Sequence, residues 1–268
     1  SMAWTGNWLT KEIDGLFGLA TSKNWSDFSR SVQKFGVPGQ NIVYADVEGN
    51  IGWRPAVFLP IRKEGFSLVP RPGDDPTYDW SGRVPFKKMP FMLNPKKGYI
   101  ATANNKTIDD SFPYYISGLW ADPSRAQQIV ARLDTMEKAT IEEMKSIQLD
   151  YTSLFAKEIT PYLLSIKTGN ETGRLKKAMT LLENWDFVES SDSKGALVFH
   201  SILRQVVISI FGDELNLLGD KYLDAFTSMK YLHNRSLRKI LADGNSSWVD
   251  DIRTRDKSET IDEILKTA

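Results

Sequence analysis

A chain of 268 residues can bury one large core or two modest ones, and its 34 basic residues balance 34 acidic ones, leaving no net field for nucleic acid or an anionic membrane. The absence of cysteine excludes disulfides, thiolate nucleophiles and cysteine-ligated zinc, and leaves the redox compartment open. Only His200 and His233 are available, both in stretches with helical spacing, which argues against a histidine-centred triad or a multi-histidine metal site.

Ser1-Met2 reads as a vector remnant, and Ala3-Trp4-Thr5-Gly6 as the tail of a strand running into a glycine turn. No basic-then-apolar signal pattern opens the chain, and no apolar run approaches the ~20 residues that span a bilayer. Thr10 can cap a helix with Ile13, Leu16, Phe17 and Ala20 on its inward face, weakened by roughly 1 kcal/mol at each of Gly15 and Gly18. Ser26 opens a second helix, in which Phe28, Val32 and Phe35 recur on one side until Gly36 and Pro38 end it. A hairpin follows, with arms Asn41 to Ala45 and Ile51 to Trp53, and a turn in which Gly49 and Asn50 tolerate positive φ.

Eight prolines between Arg54 and Pro95 rule out long regular elements, while Phe58, Phe66, Tyr78, Trp80, Phe86 and Phe91 oppose disorder, so an ordered meander of short edge strands is expected. The alternating run Tyr99 to Ala103 then predicts a short buried strand that delivers two amides, Asn104 and Asn105, to an edge. Either amide could also be a simple turn former, since asparagine accepts left-handed backbone. Asp109 to Trp120 is a second aromatic loop, and Asp122-Pro123 is a helix start that carries Ala126, Ile129, Val130 and Leu133 inward.

From there the chain reads as helical. Thr140 to Glu143 has capping-box spacing, and 154–166, 174–185, 194–211, 221–241 and 259–268 carry apolar residues at three and four spacing, with Pro161 expected to kink or restart the first of these. The sequence divides into residues 1–133, rich in turns and strands, and a helical region, 134–268: an α+β class overall. Arg125 stands on the first turn after Asp122, either neutralising it or serving a site. Trp53, Trp80 and Trp120 suit the core of the meander or an acyl pocket. His200 reads as a helix residue with a satisfied nitrogen.

Two stretches carry a specific resemblance. Pro38 to Asp46 with Gly49 to Gly52, followed by Asn94-Pro95 and Gly98 to Asn105, closely resembles the β chain of the penicillin amidase family of N-terminal nucleophile hydrolases in both order and spacing. Phe112 to Tyr115, Trp120 and Arg125-Ala126 continue the pattern, and Trp248 to Asp251 with Arg253-Thr254 looks like the family's late helical region. The resemblance implies an internal portion of an αββα sandwich followed by helices. It also implies an N-acyl amide hydrolase whose nucleophile, a serine, threonine or cysteine, uses its own α-amino group as base. The asparagine matching Asn104 donates a side-chain N–H to the oxyanion, and the arginine matching Arg125 helps hold that asparagine and the nucleophile's amino end.

Ser1 departs from the pattern, because Met2 and Ala3 follow it and Trp4-Thr5-Gly6 comes at once. The nucleophile is therefore expected outside this chain, together with the α chain and the remaining β-chain segments, its expected partners, and the portion alone is expected to be inactive toward a small acyl-amide substrate. No cofactor is expected within these residues. Calcium is possible in the full-length protein, although Ile116 stands at the position where a carboxylate ligand would be needed, with Asp109 and Asp110 nearby. Family habit favours a periplasmic or secreted protein, and uncovered strand edges predict self-association. A non-enzymatic binding module, or a degenerate member of the family, is the alternative; neither nucleic acid nor membrane is an expected partner.

Overall fold

The computed structural model describes residues 2–63, 68–165, 169, 171–250, 252 and 260–267, apart from the side chains of Tyr231 and Thr267. Ser1, Phe66, Ile166, Asp251, Arg253, Thr254, Glu259 and Ala268, singled out above, lie outside the described residues. The chain forms two compact units, Ser1–Trp120 and Ala121–Ala268.

In the first unit, Thr5–Asn7 is a 3-10 turn rather than the end of a strand, because the Trp4 ring folds over Gly6, where a Cβ would lie 2.4 Å from it. Helix α1 (Glu12–Ala20) reverses the expected amphipathic face. Ile13, Leu16 and Phe17 are 65%, 54% and 72% exposed, and the buried side is the glycine side. A Cβ on Gly15 would sit 2.5 Å from the Phe35 ring, and one on Gly18 would sit 2.4 Å from Ser31 Oγ. The two glycines that weaken α1 as an isolated helix are what allow it to close on α2 (Trp25–Val32).

Thr10 does not cap α1. Lys11 occupies the N-cap without a side-chain bond, and Thr10 instead bonds the Glu12 carboxylate, which also accepts the Gly36 and Val37 N–H groups at 2.9 and 3.1 Å. These bonds, the Thr10 bond foremost, hold the Glu12 carboxyl down at about 2. Asn24 caps α2, and Phe28, Val32 and Phe35 are buried as their spacing predicts, packing with Ala56 beneath Trp25, Ile42 and Tyr44.

The hairpin forms between β1 (Gln40–Ala45) and β2 (Ile51–Ala56), antiparallel, with Ala45 opposite Ile51. β2 also pairs with β5 (Met92–Leu93), giving the order β1-β2-β5, and β3 (Pro60–Arg62) pairs separately with β4 (Trp80–Arg83). The proline-rich meander is thus ordered. Trp53 is fully buried, with its indole N–H on Asn41 Oδ1 at 2.9 Å, and Leu59, Val84 and Met89 form a second cluster with Phe112, Tyr114 and Ile116.

The strand expected from Tyr99 to Ala103 is not formed. Gly98 turns the chain at φ +76°, and the Ala103 N–H, a donor that a ladder would need, is taken by Asn105 Oδ1 at 2.9 Å.

The second unit is helical: α3 (Ser124–Leu133), α4 (Ile141–Gln148), α5 (Leu154–Leu164), α6 (Gly173–Glu183), α7 (Lys194–Leu217), α8 (Asp220–Ser228), α9 (Lys230–Asp243) and α10 (Ile261–Thr267). Thr140 and Glu143 make the reciprocal capping box of α4. Pro161 neither ends nor restarts α5, which runs through it with the ring exposed to solvent. The apolar segment 221–241 is two helices, broken at Met229, where ψ is 72°.

Contrary to the sequence expectation, α7 is long and apolar enough to cross a membrane by length and composition. In the fold it is the central helix, packed by α5, α6, α8 and α10, and it buries Phe199, Leu203, Val206, Val207, Ile210 and Phe211 in the main core.

Pro123 is the N-cap of α3, and Asp122 before it accepts the Ser124 N–H at 3.0 Å and is ion-paired with Arg238 of α9. Arg238 also donates from Nε to Glu158 of α5 at 2.8 Å, so one guanidinium ties three helices together.

Two predictions follow from these contacts. A Cβ on Gly195 would lie 2.3 Å from the Trp185 ring, so Gly195→Ala should lower stability by about 1–3 kcal/mol in denaturant unfolding, although alanine is the better helix former. A stabilised variant would show that the ring has room to move.

At the hairpin turn, Asp46 accepts the Glu48 and Asn50 N–H groups, the Asn50 amide and, at 2.7 Å, the Tyr44 hydroxyl. The Tyr44 bond foremost holds the Asp46 carboxyl at about 2 and pushes the Tyr44 phenol up to about 12. The depressed carboxyl contributes stability above its unfolded pKa, a contribution lost as pH falls from about 4 to about 2. The raised phenol contributes below its unfolded pKa, and that is lost as pH rises from about 10 to about 12. The stability of the folded unit, read from denaturant unfolding at each pH, should fall in both windows, and Asp46→Asn should flatten both.

Candidate functional site

The segment that carries Asn104 begins at a clamp on the hairpin. Asn94, at φ +48°, accepts the Ile51 N–H through Oδ1 at 2.9 Å and donates through Nδ2 to Asn50 Oδ1 at 2.8 Å, while its own N–H bonds the Ile51 carbonyl at 2.8 Å. Pro95 to Gly98 then turns on a Gly98 N–H to Pro95 carbonyl bond of 2.9 Å. Half-buried residues 99 to 102 lead to Ala103, which is buried.

At the next turn the two adjacent amides separate in role. Asn105 is half-buried and spends its side chain on backbone: Oδ1 takes the Ala103 N–H at 2.9 Å and Nδ2 donates to the Lys106 carbonyl at 3.0 Å. Asn104 sits at the apex with φ +62°, exposed, in the left-handed region that asparagine enters more readily than other side chains. A primary amide there offers two N–H donors and an acceptor and carries no charge, which suits stabilisation of a developing oxyanion.

Arg125 is exposed at the second position of α3, in the second unit, whereas Asn104 belongs to the first. The α3 start that carries it is fixed by the Asp122 bond to the Ser124 N–H and by the Arg238 ion pair. Sequence reading missed Arg238, since 116 residues separate it from Asp122 and no local pattern marks the pairing.

It also missed two arginines of the meander. Arg54 lies 4.4 Å from the Phe86 ring centre and 4.8 Å from that of Phe91, and Arg62 lies between Trp80 and Tyr115 at 5.5 and 5.3 Å. Arg54 Nε and Nη1 and Arg62 Nη1 are buried and have no hydrogen-bond partner among the described residues. Ring faces take the place of carboxylates as their neighbours.

The stretch considered for calcium does not fit that ion. Ile116 packs against the Leu59, Val84 and Met89 cluster, Asp109 is engaged by the Ser111 N–H and hydroxyl, and Asp110 pairs with Lys106. Among the described residues, no group of three or more His, Asp or Glu side chains is arranged to hold a metal. His200 donates toward Glu189 Oε2 at 3.3 Å, a structural pairing in keeping with its satisfied-nitrogen reading.

Comparison with known proteins gives a consistent result. A model of the penicillin amidase family matches residues 1–268. The acyl-homoserine lactone acylase QuiP of Pseudomonas fluorescens is 29% identical over 265 residues, covering 93% of this chain and 32% of that protein. Penicillin G acylase of Escherichia coli is 28% identical over 204 residues, covering 73% of this chain and 23% of that protein. The chain therefore spans about a third or less of the length of these relatives. Among solved structures, the thermostable penicillin G acylase of Alcaligenes faecalis superposes with a TM-score of 0.66 over 96% of this chain and 51% of that one, at 20% identity, which is a likeness of fold. With a family match that runs the length of the chain and an α+β fold shared with a penicillin G acylase, the chain belongs to the penicillin amidase family.

Proposed function

We propose that the chain is an internal portion of the β chain of an N-acyl amide hydrolase, in which Asn104 donates to the oxyanion and Arg125 is a positioning residue. One observation carries this reading: in a chain of the penicillin amidase family, Asn104 sits exposed at a left-handed turn whose backbone its neighbour Asn105 bonds.

The chemistry follows from the donor. A nucleophile outside these residues attacks the amide carbonyl, and its proton passes to its own α-amino group, which titrates near 8 and is partly free at neutral pH. The carbonyl oxygen gains negative charge as the C=O becomes a C–O single bond. The Asn104 N–H stabilises that charge, and the tetrahedral intermediate collapses by expelling the amine, which takes up the proton. Water then releases the acid by the same steps. A neutral amide stabilises the oxyanion without competing for the proton, a role that a lysine at this place would compromise.

The substrate class is an acyl group in amide linkage, the linkage common to the acyl-homoserine lactone and penicillin acylases among the relatives. Calcium, where the full-length protein holds it, draws its ligands from outside this chain. The portion alone lacks the nucleophile and is inactive.

In the full-length protein, Asn104→Ala should lower kcat by about 10²–10³-fold with little change in KM. Asn105→Ala should instead act on the turn, lowering stability by about 1 kcal/mol for the loss of its backbone bonds. Steady-state kinetics on a chromogenic acyl amide, paired with thermal unfolding, separates the two. An unchanged kcat in Asn104→Ala would remove the proposed role.

A further inference from the structure

The helical unit contains a cavity of about 280 Å³ that the amidase reading does not use. It lies beside the break at Met229. α8 stops at Ser228 and α9 restarts at Lys230, which leaves one face of α7 uncovered at the break. That face presents His200, Leu203, Arg204 and Val207, at i, i+3, i+4 and i+7, and the opposite wall comes from Thr227, Lys230 and His233. Its volume lies just under the roughly 300–1,000 Å³ of small-molecule pockets, room for one small ligand.

The polar groups are predominantly cationic or hydrogen-bond donors. Arg204 and Lys230 are exposed and make no ion pair among the described residues. The neighbouring carboxylate, Glu189, pairs with His200 at 3.3 Å and also feels the Lys230 charge, which leaves Arg204 as the cation at the mouth with no carboxylate partner among the described residues. Deeper in, His233 is only 8% exposed, and its Nδ1 has no hydrogen-bond partner among the described residues. Burial foremost, with the Lys230 charge, lowers its pKa, opposed by a bond to the Thr227 backbone. Leu203 and Val207, both buried, supply an apolar floor. The Arg204 guanidinium at the mouth, with Lys230 beside it and an apolar floor beneath, is complementary to an anionic head joined to a short hydrocarbon.

We propose that this cavity binds a small carboxylate with a short apolar tail, the carboxylate held by Arg204 and Lys230 at the mouth and the tail lying on Leu203 and Val207. The site does not depend on the assignment of Asn104. Where the amidase reading also holds, the ligand belongs to the class of acid that amide hydrolysis releases.

The test is isothermal titration of the full-length protein with hexanoate, compared with a variant carrying Arg204→Gln and Lys230→Gln. The unaltered protein should show a binding step that weakens at least about tenfold in the variant, the equivalent of about 1.4 kcal/mol. Acylase turnover and circular dichroism should stay unchanged, and any binding of acid at the reaction centre appears equally in both proteins. Hexanamide, of the same shape without the charge, should not show the step. Arg204→Gln alone is the second variant should the double change disturb folding, and it should give part of the loss. Equal isotherms for the two proteins, or equal binding of hexanoate and hexanamide, would overturn the proposal. Inorganic phosphate binding as tightly as hexanoate would overturn the assignment of the apolar tail.

Discussion

The position of Asn104 depends on the Asn94 amide. One side chain closes both an N–H and an amide of the hairpin turn, so the chain leaving β5 is fixed to the Asn50-Ile51 corner before it bends at Gly98. Because Asp46 holds that same corner through its four accepted bonds, the turn, the clamp and the approach to Asn104 form one connected set of local hydrogen bonds. The segment reaches its place without strand pairing, since side-chain amides supply the backbone with partners that a ladder would otherwise provide.

Close packing at glycine governs both units in the same way. In α1, Gly15 and Gly18 bring the helix against Phe35 and Ser31, and in α7, Gly195 receives the Trp185 ring. Each contact forfeits some intrinsic helix stability for a shorter distance between elements, which the buried aromatic surface offsets. The result in α1 is a helix whose large apolar side chains face outward. That outcome cannot be read from periodicity, because a glycine face and a solvent face give the same gap in the apolar pattern.

Much of the scaffold was nonetheless legible. Phe28, Val32 and Phe35 marked the buried side of α2, Gly49 marked the hairpin turn, and Thr140 with Glu143 marked the start of α4, each because the signal is local and steric or hydrogen-bonded within a few residues. What was hidden depends on distant partners: Arg238 reaching Asp122, the rings around Arg54, and the break at Met229, which carries no glycine or proline. Alternation at Tyr99 to Ala103 was a true pattern with a wrong inference, since alternation specifies two faces but not a neighbouring strand to pair with. For the candidate site, the family pattern directed attention to Asn104, and the turn geometry that distinguishes it from Asn105 came only with the structure.

Backbone strain gives an independent reason to weigh Asn104. Among the described residues, three non-glycines have positive φ: Asn94, Asn104 and Phe187. Asn94 is accounted for by the two bonds of its amide on the hairpin corner. Phe187 is held by its carbonyl, which accepts the Ser153 N–H at 2.9 Å, and by its ring, 5.3 Å from that of Trp185, so the fold itself fixes the unfavourable conformation. At Asn104 the neighbouring Asn105 bonds the backbone on both sides of the turn. A left-handed conformation there directs an exposed amide in a way that an extended residue at the same point would not. For the oxyanion role proposed for Asn104, a backbone conformation already in place is an advantage, because less must reorganise when charge develops on the carbonyl oxygen.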